Sequence, residues 1–258
     1  MQQLFPAQRP VVDPLSIYDE VEFPELPERA YLYLNMVSSV DGRAQVNGRA
    51  VGLGSPTDQA LMRRLRALAD CVVNASGTVA ADNVYEPLAP ELVEARLRRG
   101  QAEEPLWAVV TGSGNVREDA PMFQRARRRA VVFAAERTPV ERRKRLAELA
   151  DVVVAGDEEP EPPEVLRLLR TRYGCRRALS EGGPTFNAAV LRADVLDELF
   201  LTFAPKLVAG QGKTIVDGPQ FPFKQWPLLE LVTLYEQASE LFFRYRVRHG
   251  ARESGGRG

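Results

Sequence analysis

Residues 31 to 37 read YLYLNMV, an apolar run that predicts a central strand ending at the polar turn Ser38-Ser39-Val40-Asp41-Gly42. Comparable runs recur at Cys71-Val72-Val73, LWAVVTG (106–112), AVVFAA (130–135), DVVVAG (151–156), the residues ending at Ala178-Leu179-Ser180, and LDELFLTFAP (196–205). Between them the spacing of apolar positions becomes helical. Leu61, Leu65, Leu68 and Ala69 fall on one face, after Ser55 as N-cap and Pro56 at the first helical position. ELVEARLRRG (91–100), VERRKRLAELA (140–150) and EVLRLLRTRYG (164–174) read as further helices. Another begins at Pro184, with Phe186, Ala189 and Val190 as its apolar positions. Strands that alternate with helices predict an α/β fold around a mostly parallel sheet. LLELVTLYEQ (228–237) and ELFFRYRVRH (240–249) read as a closing antiparallel hairpin.

The ends of the chain look different. Residues 1–28 carry five prolines and little periodicity, which predicts an extended N-terminal arm laid over the body or a partly disordered one. No internal repeat or composition break divides residues 29–249, so one domain is expected there, followed by a disordered tail over 250–258.

Composition removes several classes of chemistry. With 45% hydrophobic and 27% charged residues and a net charge of −1, the chain has material for a sizeable core and no basic field to hold nucleic acid. Its apolar runs fall short of a membrane span, and MQQLFPAQRP lacks the pattern of a signal peptide. We therefore expect a cytoplasmic protein with neither nucleic acid nor membrane as partner. Cys71 and Cys175 are the only cysteines and His249 the only histidine, which excludes a disulfide framework and the common zinc sites and argues against a Ser-His-Asp triad. No metal site is expected. Chemistry is left to carboxylates, hydroxyls and a cofactor.

Candidate chemistry sits in loops after strands, where parallel sheets bind ligands. Ala75-Ser76-Gly77-Thr78 reads as a loop of small residues with Asp82 four positions beyond Thr78. Thr111-Gly112-Ser113-Gly114-Asn115 repeats the pattern. Glu181 precedes Gly182-Gly183, and a helix start at Pro184 offers backbone N–H groups to an anion. On the residues alone each is equally an ordinary turn, as is Asp41-Gly42. Arg66 and the arginines of 96–99 read as solvated helix charges, and DEEPEPPE (157–164) as a surface connection.

Four segments taken together carry a more specific signal. NMVSSVDGR, SPTDQALMRRLRALADCVVNASGTVAADN, LSEGGPTFNAAVLRADVLDELFLTFAPKLVAGQGK and the closing hairpin resemble, in order from about residue 30 to 248, the pyrimidine reductase family of riboflavin biosynthesis. This is the reductase half of the bifunctional deaminase-reductase, here without the deaminase. The resemblance implies a dihydrofolate reductase-like three-layer α/β/α fold and a homodimer, for which Leu241, Phe242, Phe243 and Tyr245 offer an apolar face. It also implies reduction of the ribosyl group of an aminopyrimidine ribose phosphate to a ribityl group, with NADPH as hydride source. By position, Ser76, Gly77, Thr78 and Asp82 match cofactor contacts, with Asp82 near the nicotinamide and the candidate for proton transfer. Ser55, Asp58, Thr111 and Gly182, with Gly183, Pro184, Thr185 and Phe186, would complete the cofactor site, and Asp41, Arg66 and Glu181 would meet substrate.

One departure stands out. The family commonly places an arginine for the substrate phosphate shortly after the Thr-to-Asp loop, whereas here Asn83-Val84-Tyr85-Glu86-Pro87 follows and no basic residue appears before Arg96. The same fold and cofactor with another pterin-like or small carbonyl-like substrate therefore stays open, as does a non-catalytic nucleotide-binding protein. Thr111, Ser113 and Arg117 supply no clear 2′-phosphate clamp, so the residues themselves do not decide between NADPH and NADH.

Overall fold

The computed structural model describes residues 1–46, 48–49 and 52–250. In chain order its strands are β1 (Gln2–Phe5), β2 (Arg9–Pro10), β3 (Tyr31–Ser39), β4 (Cys71–Ala75), β5 (Leu106–Thr111), β6 (Val131–Ala134), β7 (Asp151–Val154), β8 (Arg177–Ser180), β9 (Glu198–Ala204), β10 (Leu228–Gln237) and β11 (Glu240–Arg248). The helices are α1 (Pro56–Leu68), α2 (Ser76–Ala81), α3 (Pro90–Arg98), α4 (Pro121–Arg125), α5 (Val140–Ala147), α6 (Pro162–Tyr173) and α7 (Pro184–Arg192). The tail expected over 250–258 falls, beyond Gly250, outside the described residues.

Among the described residues the eleven strands form one sheet in the order β2-β1-β10-β11-β9-β3-β8-β4-β5-β6-β7. From β9 to β7 neighbours run parallel, and from β9 to β2 antiparallel. β5 and β6 are buried along their whole length, as continuous apolar runs in a parallel sheet require. On one face Tyr33, Trp107, Val109 and Phe200 cluster with Leu61 and Leu65 of α1. On the opposite face Leu34, Val73 and Phe133 cluster with Leu166 of α6 and Val190 of α7. The expected three layers and closing hairpin are present. Among the described residues no helix is long and apolar enough to cross a membrane.

The N-terminal arm differs from expectation. β1 pairs with β10 and β2 folds back on β1, so the first ten residues extend the sheet at its antiparallel edge. Strands of four and two residues between prolines are too short to show a period. Beyond them Asp13 accepts a hydrogen bond from the Leu15 amide (2.9 Å) and caps a 3-10 turn over Pro14–Tyr18. This sets Tyr18 edge-on to Phe200, and Phe23 then stacks on Tyr33 with ring centres 4.5 Å apart.

Three local devices fix α1. Ser55 Oγ accepts from the Asp58 amide (3.2 Å), with Pro56 at the first position, as its N-cap sequence predicts. At the other end Arg96, 1% exposed, donates to the carbonyls of Ala67 (3.1 Å) and Ala69 (2.5 Å). Gln101 adds a bond to Leu68 O (3.1 Å). The arginine cluster of α3, expected to be wholly solvated, is thus partly internal because the last carbonyls of α1 lack helical partners. At the C-terminus of α6, Gly174 adopts φ 69°, the left-handed cap a side chain would strain.

A buried ion pair ties the parallel and antiparallel halves. Arg244 on β11 makes a bidentate contact with Glu198 at the start of β9 (2.7 and 3.0 Å), and Tyr31 donates to the same carboxylate (3.1 Å).

Candidate active site

Adjacent parallel strands β8, β4 and β5 end at the same edge of the sheet, and their loops enclose a cleft of about 510 Å³. Crevices at the carboxyl ends of parallel strands are where such sheets bind ligands. One wall is Ser76, Gly77 and Thr78, and the next is Gly183, Pro184, Thr185 and Phe186. Thr111 and Gly112 follow β5, Glu159 and Pro160 follow β7, and Gln45 and Lys213 reach in from two long loops.

The two helix starts are held side by side by backbone hydrogen bonds. The Ala75 amide donates to Gly182 O (2.7 Å) and the Glu181 amide to Val73 O (3.1 Å), joining the end of β4 to the turn after β8. Gly182 has φ 88°, a conformation that favours glycine. Gly183 is the N-cap of α7 with no side-chain cap, so the first-turn amides of Thr185 and Phe186 lie unclaimed by helix or cap at the cleft. A methyl group on Gly183 would stand 3.1 Å from Thr78 Oγ1, whereas one on Gly77 would meet nothing within 4 Å. Bare backbone and two hydroxyls therefore front an open space, a surface that fits a phosphate-bearing group.

The predicted loop Ala75–Thr78 is a correction in detail. Ser76, Gly77 and Thr78 form the first turn of α2, which starts directly where β4 ends and closes with Asp82 N donating to Thr78 O (3.0 Å). Asp82 is not itself among the residues that line the cleft; it follows Ala81, which is, and pairs with Arg49 (3.0 Å). Thr111 reaches the cleft as expected.

Arg66 is not a surface charge. Its guanidinium holds Glu181 in two bonds (2.6 and 2.8 Å), lies over Trp107 (5.4 Å) and comes within 3.9 Å of Glu86. Burial alone would lower its pKa, but Glu181 outweighs it and raises the value above the ordinary arginine range. The pair locks α1 to the turn that carries Gly182 and Gly183. Glu86 is itself taken by Arg63 (2.9 Å), and Arg96, the first basic residue after Asp82, is committed to α1.

Ser55, Asp58 and Asp41 are not brought to the cleft. Asp41 accepts from Ser39 Oγ (2.6 Å) and from the amides of Val208 (3.0 Å) and Ala209 (2.7 Å). These bonds lower its pKa to about 2, with the Ser39 bond contributing most, and make it a loop clamp. Ser55 bonds through its hydroxyl to Glu240, and Asp58 is buried beside Thr202 and Glu240. Burial is the main cause that raises the Asp58 pKa to about 6; Thr202 and Lys206 oppose it and Glu240 adds to it. A carboxylic acid raised in the fold above its unfolded value of about 3.8 binds more protons folded than unfolded between pH 4 and 6. Its contribution is therefore lost as pH rises through that window. Asp58→Asn is expected to flatten the slope and be more stable than the parent at pH 7, read by chemical denaturation across pH; an unchanged slope would contradict the burial argument.

Sequence reasoning missed Glu159, Gln45 and Lys213 as cleft residues. Glu159 had a signal, because it follows a parallel strand at the ligand-binding edge. Gln45 and Lys213 had none, since two loops distant in sequence meet through Ala44 N donating to Lys213 O (2.9 Å).

Residues 30–241 match the RibD C-terminal domain family. The chain belongs to this family. As a RibD C-terminal domain it is 29% identical over 196 residues to the 2,5-diamino-6-ribosylamino-4(3H)-pyrimidinone 5′-phosphate reductase of Archaeoglobus fulgidus, covering 75% of this chain and 89% of that protein. The enzyme of the same name from Methanothermobacter thermautotrophicus is 28% identical over 227 residues, covering 85% and 99%. A pyrimidine reductase-like protein from Corynebacterium diphtheriae superposes with a TM-score of 0.78 at 22% identity, over 92% of this RibD C-terminal domain chain and 99% of its own, a likeness of fold.

Proposed function

We propose that the protein is a pyrimidine reductase that delivers hydride from a reduced nicotinamide dinucleotide to the ribosyl carbon of an aminopyrimidine ribose phosphate, giving a ribityl product. The family and the names of its relatives support the reductase role. NADPH is the form of the dinucleotide that the resemblance implies. The observation that carries the reading is the cleft in which the uncapped start of α7 faces the hydroxyls of Ser76 and Thr78 across bare glycine backbone.

When bound, the dinucleotide supplies the hydride, and the protein supplies position and proton control. The Thr185 and Phe186 amides and the Thr78 hydroxyl are the groups that would hold its phosphates, at the uncapped start of α7. Asp82, at the end of α2, orients the reacting groups and gives the proton that opening of the ribose ring requires. Arg66 and Glu181 brace the turn beneath. The test is dinucleotide consumption with the aminopyrimidine substrate: Asp82→Asn is expected to lower kcat by about 100-fold with dinucleotide affinity kept. Full turnover of that variant at every pH would remove Asp82 from the chemistry.

A second reading keeps fold and cofactor but changes the substrate. It is favoured by the lack of a basic residue between Asp82 and Arg96, since Arg96 is committed to the last carbonyls of α1 and leaves no arginine from this stretch for a substrate phosphate.

We further propose a homodimer formed through the outer face of the closing hairpin. Phe242 is buried in the core, whereas Leu241, Phe243 and Tyr245 are half-buried. Phe243 and Tyr245 pack in part against the core cluster under α6 and α7, and the remaining surface is what the hairpin offers a partner. Sedimentation at micromolar concentration is expected to show the dimer, and monomer alone would rule it out.

A further inference from the structure

A second hollow lies away from the cleft, and nothing in the reductase reading uses it. Asp70, Gln101, Arg128 and Arg177 stand at or before the starts of β4, β5, β6 and β8, which are neighbours in the sheet. Together with the end of α3 their segments enclose about 410 Å³. The cleft lies at the opposite ends of these strands, so the five residues of β4 hold the two apart by about 16 Å.

The hollow is lined by five arginines, Arg96, Arg99, Arg128, Arg176 and Arg177, and by one carboxylate, Asp70. Arg176 forms an exposed pair with Glu25 (2.7 Å), and Arg177 lies 3.4 Å from Asp70. Asp70 is itself held by Gln101 (2.7 Å) and by the amides of Arg176 and Arg177 (2.9 and 3.0 Å). Acids that flank these segments in sequence are taken elsewhere. Glu103 pairs with Arg127, Asp151 with Arg129, and Glu104 accepts from the amides of Arg127 and Arg128. Arg96 and Arg99 donate to neutral oxygens, among them the carbonyls of Ala67 and Ala69 and the Gln101 side chain. Among the described residues the half-buried Arg128 side chain has no hydrogen bond or ion pair, and the buried Arg177 Nε has no partner.

Three guanidinium groups thus share one wall without a counter-charge of their own. Burial is the main cause that lowers the Arg96 pKa to about 10; Arg99 and Arg177 push the same way, and Asp70 and Tyr33 oppose them. An anion in the hollow relieves that repulsion. The planar guanidinium offers paired N–H donors that match the oxygens of a phosphate. Three uncompensated cations suit a multiply charged phosphate group better than a single carboxylate.

We propose that this hollow at the amino ends of β4, β5, β6 and β8 is a second binding site, which takes the pyrophosphate or longer phosphate chain of a small molecule. Arg128 and Arg99 are its contacts, and Arg96 supplies charge from behind.

The test is calorimetric titration of the full chain with inorganic pyrophosphate, in the Gly77→Leu background whose new side chain occupies the cleft. One pyrophosphate should bind, and adding Arg128→Gln should weaken it by about tenfold or more, as loss of a charge-assisted hydrogen bond implies. A thermal melt checks that the added change leaves the fold intact, as expected for a side chain without a protein partner. No binding at millimolar pyrophosphate overturns the proposal, as does an affinity that Arg128→Gln leaves unchanged. Binding of duplex DNA through Arg128 with none of pyrophosphate would assign the patch to a nucleic-acid backbone, and overturns it too. Each of these outcomes leaves the reductase reading standing, because that reading rests on the cleft.

Discussion

Replacing Arg244 with alanine is expected to destabilise the fold by about 3–5 kcal/mol, a large part of the total stability of a typical domain. Glu198 is fully buried and Arg244 is 13% exposed, so removing the guanidinium strands a carboxylate in the interior with only the Tyr31 hydroxyl left from the present set. The loss is larger than that of a charge alone, because Arg244 also covers the rings of Phe23 and Phe200 (5.8 and 5.6 Å) and so holds the N-terminal segment against the sheet. Arg98→Ala is the control. Its pair with Glu94 is about 70% exposed on both sides, and such pairs contribute about 0–1 kcal/mol. Equilibrium denaturation measures both, and similar losses for the two variants would contradict the assignment of the Glu198 pair as internal.

A second large effect is expected at Gly77. Gly77→Leu should weaken dinucleotide binding about 100-fold, or roughly 2.7 kcal/mol, while leaving the fold as stable as before or slightly more so. Gly77 lies in the first turn of α2 on the cleft wall, and a Cβ there meets no protein atom within 4 Å. The new side chain therefore takes up ligand space without displacing the protein. Titration calorimetry reads the affinity and a thermal melt the fold. Parent-like affinity in a folded variant would move the dinucleotide out of this cleft.

Much of the architecture was legible because the signal was local. Ser55 and Pro56 announce α1, the run from Tyr31 announces β3, and Gly182-Gly183 before Pro184 announces the turn into α7. What stayed hidden depended on distant partners. Arg66 reads as a solvated charge until Glu181, 115 residues away, is brought to it. Arg96 likewise looks external until the last turn of α1 presents its carbonyls. β1 and β2 exist because β10 offers an edge, which no pattern within four residues reveals. Gly77 pointed to a loop, yet a helix follows β4 at once and leaves the glycine as an opening in its wall. Ser55 and Asp58 were placed in the cofactor site by position in the family, whereas their side chains turn toward Glu240 and Thr202 on the antiparallel half.

The central claim is that hydride passes, at this cleft, from a dinucleotide to the sugar of a pyrimidine. Incubation with reduced dinucleotide deuterated at the transferring carbon, together with the aminopyrimidine ribose phosphate, tests it by mass spectrometry of the product. The account predicts a ribityl product carrying the deuterium at its first sugar carbon. Unreduced substrate, or a reduced product without the label, would contradict it.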